Sequence, residues 1–112
     1  MNQRHTLTTR NRDLAFVGAI LGVGLAARAD DSAGTRVRIY RTVGGTYVVH
    51  LHQWASSRTS DLYDARTTED PTAVYDELCE LGKGGLGRAS RSAWEMAAEA
   101  DPRLVRPVDT IA

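Results

Sequence analysis

Any chemistry in this chain has to come from a short roster of side chains. His50 and His52 stand two residues apart, which on a strand puts both imidazoles on one face and makes them a candidate metal pair. A third ligand would have to be His5, Cys79 or a distant carboxylate, and no spacing points to one; the reading adopted is two surface histidines beside Trp54. Gly82-Lys83-Gly84-Gly85-Leu86-Gly87 matches the GxGxxG spacing of a dinucleotide-binding turn. That turn must follow a strand and open a helix, whereas here the motif follows helical periodicity, so it is read as an inter-helix connector. Lys83 also lacks the Ser or Thr that follows a phosphate-loop lysine, and Gly22-Val23-Gly24 is no stronger a motif. Cys79 falls near an apolar stripe, where a small buried thiol is the usual occupant. Ser56, Ser57 and Ser60 form a polar loop without a nucleophile elbow, and Glu77 and Glu80 fit a solvated helix face. No catalytic set assembles. The expectation is a non-enzymatic protein with no metal and no cofactor.

The richest surface is different in kind. Arg36, Arg38, Tyr40, His50, His52 and Trp54 alternate along two adjacent strand-like runs and fall on one face. Arginine mixed with aromatic residues is enriched at protein–protein hot spots, and the same mixture on a sheet stacks bases and contacts phosphates. A third reading has a helix covering this face and burying Trp54 and Tyr40. Between the two binding readings, protein is preferred to nucleic acid because the chain carries no net charge, with fourteen Lys plus Arg against fourteen Asp plus Glu.

The elements that position this face follow from composition and pattern. The 112 residues, 42% hydrophobic and 25% charged, suit one modest core and argue against wholesale disorder. A single cysteine forms no internal disulfide, which makes a reducing, cytoplasmic compartment the default. Residues 14–27 are an apolar run containing three glycines, shorter than the ~20 residues of a membrane span. Arg4, Arg10 and Arg12 before it and Ala27-Arg28-Ala29 after it give it some character of a secretion signal, but Asp13 directly precedes it and the run is read as core. Residues 1–60 hold eight Arg and three Asp, whereas residues 61–112 carry the acidic excess. Attraction between the two surfaces, within one copy or in a homodimer, accounts for that asymmetry.

Residues 35–43 and 46–54 are β-branched and aromatic, separated by Gly44-Gly45, and predict a hairpin. A three-residue loop pairing Val43 with Tyr47, Arg41 with Val49 and Ile39 with Leu51 collects Val37, Ile39, Val43, Tyr47, Val49 and Leu51 on one face; it fits a type I turn followed by a glycine bulge. Residues 1–12 read as a polar tail or edge strand, residues 14–18 as a strand that continues or turns helical over 19–29, and residues 61–67 as a further strand. Asp70-Pro71 starts a helix as N-cap and first turn, Val74, Tyr75, Leu78 and Leu81 form its stripe, and Gly82 ends it. A second helix spans about residues 89–100, with Ser92 and Glu95 at capping-box spacing or Ser90 as the start. Ala93, Trp94, Met96, Ala97 and Ala100 supply its apolar side. Residues 103–112, with Pro107, read as an extended tail. The fold expected is α+β: an antiparallel sheet of three to four strands with two C-terminal helices against one face.

Residues 13–18 (DLAFVG) and 36–49 (RVRIYRTVGGTYVV), with the helix ending Ala97-Ala98-Glu99-Ala100-Asp101-Pro102, resemble a group of small accessory proteins of bacterial plasmids, phages and integrative elements, actinobacterial ones among them. EXLDI-type proteins share the IYRT-like strand and glycine turn; the ending Val108-Asp109-Thr110-Ile111 departs from their hydrophobic-acidic terminus. The resemblance implies a mobile-element protein and carries no active site. By analogy with small proteins of such elements, it implies binding to a host protein or complex, as anti-CRISPR inhibitors do.

Overall fold

The computed structural model describes residues 2–83, 85–106, 108, 110 and 111. Gly84 of the glycine motif, and Pro107 and Asp109 of the expected tail, lie outside the described residues. The fold is α+β, with five antiparallel strands rather than three to four: β1 (Gln3–Thr8), β2 (Asp13–Ala27), β3 (Ala33–Thr42), β4 (Tyr47–Ala55) and β5 (Leu62–Thr68). They pair in chain order, each with its predecessor. A 3-10 turn (Pro71–Ala73) leads into α1 (Val74–Leu81), and α2 (Arg88–Ala100) follows. No helix among the described residues is long and apolar enough to cross a membrane.

The apolar run 14–27 resolves as strand throughout. It pairs with β1 over its first half and β3 over its second, with a register shift between Ile20 and Gly22 that leaves Leu21 as a bulge. Such pairing on both edges decides what local periodicity leaves open. The polar N-terminal residues become an edge strand because β2 outruns β3 and offers them a partner.

The hairpin of β3 and β4 closes as the sequence predicts in type but not in position. Arg41 pairs with Tyr47, Ile39 with Val49 and Val37 with Leu51. The three-residue loop is therefore Val43-Gly44-Gly45, flanked by Thr42 and Thr46, one residue earlier than expected. Thr42 Oγ1 accepts from the Thr46 amide at 3.0 Å, Gly45 N–H donates to Thr42 O, and Gly45 takes the positive φ of +93° that the bulge requires. Shifting both strands by one residue preserves which side chains share a face. Only Val43 leaves the apolar set, and it stands exposed on the turn.

That apolar face meets both helices. Val37, Ile39, Tyr47 and Val49 are buried with Val74, Leu78 and Leu81 of α1 and Ala89, Ala93, Trp94 and Ala97 of α2. Asp70 caps the 3-10 turn by accepting from the Thr72 amide at 2.9 Å, and Gly82 ends α1, as the sequence predicts. The N-cap of α2 is Gly87, not Ser92 or Ser90, and no side chain caps it. Met96 and Ala100 face solvent, because α2 contacts the sheet along the narrow stripe of Ala89, Ala93 and Ala97. The stripe lies on Gly22 and Gly24: a β-carbon on either glycine would run into the carbonyl oxygens of Ala93 and Ala89 respectively. Leu104 is also buried in this core, so the chain beyond α2 turns back onto it.

Candidate functional site

The opposite sheet face carries all six side chains singled out from the sequence. Register aligns them in cross-strand rows: Leu25, Arg36, His52 and Tyr63 in one, Val23, Arg38, His50 and Ala65 in the next, then Ile20, Tyr40, Val48 and Thr67. Neither helix covers this face. Half of it is covered instead by the hairpin of β1 and β2, which folds back so that Leu7, Leu14 and Phe16 pack on Tyr40 and Val48.

That cover divides the six. Tyr40 and His50 are buried, at 2% and 5% exposure, and belong to this second small core rather than to an accessible surface. Tyr40 packs edge-on against Phe16 and beside His5, and its burial raises the phenol pKa, with Arg38 opposing in part. His50 Nε2 bonds the Thr8 carbonyl at 2.7 Å, and its burial lowers the imidazole pKa. Arg36, Arg38, His52 and Trp54 remain on the uncovered half.

There the geometry is ordered by stacking. The His52 and Tyr63 rings lie parallel, 6° apart with centroids at 4.5 Å, and Trp54 stands 5.3 Å from His52. The Arg36 guanidinium lies 5.7 Å from the Trp54 ring centroid. Trp54 Nε1 donates to the Asp31 carbonyl at 3.1 Å, and the ring occupies the space a side chain on Gly34 would need. His52 Nε2 bonds Asp61 Oδ2 at 2.8 Å. The two histidines thus face different partners, one toward the Thr8 carbonyl at the end of β1 and the other toward the loop before β5. Cys79 lies on α1, where burial raises its thiol pKa.

Sequence reasoning missed Tyr63 and the apolar rim of Ile20, Val23 and Leu25 on this face. Tyr63 carried a weak signal, since Leu62, Tyr63 and Ala65 alternate poorly; its place opposite His52 needed the register of β4 with β5. The rim needed the choice of strand over helix for residues 19–27. No protein-family model matches the chain, and no curated protein or solved structure is found similar to it.

Proposed function

We propose that this is a non-enzymatic, cytoplasmic binding protein of a mobile genetic element, which captures a host protein on the open half of its sheet and so inhibits a host defence complex, in the manner of an anti-CRISPR protein. One observation carries the binding surface: Ile20 and Leu25, 45% and 54% exposed, border a face holding Arg36, Arg38, Trp54 and Tyr63. Exposed aliphatic side chains around rigid aromatic and arginine anchors make the composition of an interface hot spot. Packed stacking holds those anchors in place, so little side-chain freedom is lost on binding.

The test is capture from host lysate with tagged wild-type protein and with an Arg36→Ala/Trp54→Ala double variant, each with and without nuclease. The expected result is a stoichiometric protein partner that survives nuclease and is lost from the variant. Equal capture by the variant removes the face from the reading.

The parallel stack of His52 on Tyr63, beside Trp54 and Arg36, favours a second reading: a nucleic-acid-binding module using the same face. Its mark is retention of nucleic acid alone, lost steeply with added salt.

A further inference from the structure

The end of the sheet where the turn between β2 and β3 approaches the start of α2 holds an open pocket of about 410 Å³. Its charged lining consists of Arg28, Arg58 and Arg88, with Trp54, Gln53 and Thr35 beside them. The three arginines come from three separate segments: the turn after β2, the loop before β5, and the first residue of α2. Bringing like charges together costs energy unless something between them is negative. Among the described residues, no carboxylate pairs with any of the three within ion-pair distance. The nearby turn acids do not fill the role: Asp30 Oδ1 is taken by the Ser32 amide at 3.0 Å and hydroxyl at 2.7 Å, and neither Asp30 nor Asp31 lines the pocket.

A second feature acts in the same direction. The thirteen-residue α2 begins at this pocket with Gly87 as N-cap, no side-chain acceptor for its first amides and no acidic residue in its first turn. An uncapped helix start carries partial positive charge and free N–H donors. The three arginines that line the pocket carry planar guanidinium forks, a donor type that suits a tetrahedral oxyanion, and the positive end of α2 lies beside them.

We propose that this pocket is a phosphate-binding site, taking a phosphate group either as a small free anion or as part of a single-stranded nucleic-acid backbone. It stands apart from the proposed protein-docking face, since none of the three arginines lies in the rows of that face, and Trp54 alone borders both. A phosphate seated there would contact Arg28, Arg58 and Arg88 together.

The test is a titration of the full chain, followed by NMR, with inorganic pyrophosphate and, separately, with an eight-nucleotide oligo(dT). Expected are saturable shifts at the Arg28, Arg58 and Arg88 side chains, the Trp54 indole and the backbone amide of Arg88. An Arg58→Ser/Arg88→Ser variant with an otherwise native spectrum should bind at least tenfold more weakly. Arg10→Ser/Arg12→Ser, at the far hairpin turn, should leave affinity within twofold. Tighter binding of pyrophosphate than of the oligonucleotide assigns a small anion; the reverse order, with a salt slope that falls in the variant, assigns a strand backbone. Absence of saturation, or equal loss in the Arg10/Arg12 variant, overturns the site.

Discussion

The Tyr47 hydroxyl donates to Asp101 Oδ2 at 2.7 Å and so ties the start of β4 to the residue that ends α2, 54 positions later. Arg103 clasps the same carboxylate through Nε at 2.8 Å and a second nitrogen at 3.0 Å. Asp101 is itself buried at 3% exposure. The Arg103 bonds, joined by the one from Tyr47, hold its pKa down at about 2, against the ordinary 3.8. The folded state therefore binds this proton less readily than the unfolded chain. Its contribution is fully present above pH 3.8 and is lost as pH falls toward about 2. Because Arg103 is half exposed, solvent screening limits that contribution to about 1–2 kcal/mol. Urea unfolding between pH 2 and 5 should show the decline, and Asp101→Asn should flatten it.

His50 gives a second pH dependence in a higher window. Burial places its pKa below the ordinary 6.5, so the folded protein favours the neutral ring. Between the lowered value and 6.5 the unfolded chain binds more protons, and stability rises with pH across that interval. Histidine titration by NMR should find His50 protonating below 6.5, and acidification through the same range should lower the unfolding free energy.

Gly24→Ala should destabilise the protein by about 3 kcal/mol or more, because the new methyl meets the Ala89 carbonyl, a backbone group that moves only with α2. Gly85→Ala is the control: nothing lies within 4 Å of a β-carbon there, and its effect should stay within about 0.5 kcal/mol. Thermal unfolding of the two variants compares them directly.

Gly34→Ala tests the open face by displacing one of its side chains, Trp54, without replacing any of them. The added methyl would collide with the Trp54 ring, which a side-chain rotation relieves more readily than a strand shift. Tryptophan fluorescence should change while the far-ultraviolet dichroism of the sheet stays as in the wild type. Affinity for a partner docked on Trp54 should fall several-fold.

Elements with their own local chemistry were legible in the sequence. Gly44-Gly45 announced the hairpin, Asp70-Pro71 the first helix start and Gly82 its end, because turns and caps are short-range events. What escaped depends on partners distant in the chain. Leu7 is a lone apolar residue in a polar stretch, and nothing near it in sequence tells that it packs on Tyr40 and Val48. Without that contact Tyr40 and His50 look exposed, so the alternation of residues 36–54 alone makes the candidate face larger than it is. The one-residue displacement of the loop arose where Thr42 and Thr46 close the turn through a side-chain bond that face-sorting alone does not weigh.

The sheet also has a temporal meaning. Since spatial order equals chain order, each strand finds its neighbour already made as synthesis proceeds, and every hairpin joins segments close in sequence. The exception is α2, which must return past three strands to rest on Gly22 and Gly24 of β2. Until it arrives, Val37, Ile39 and Val49 lack half of their cover. Closure of the core thus waits for the C-terminal helix, and a released chain ending before residue 88 would leave the apolar side of the sheet uncovered and prone to aggregate.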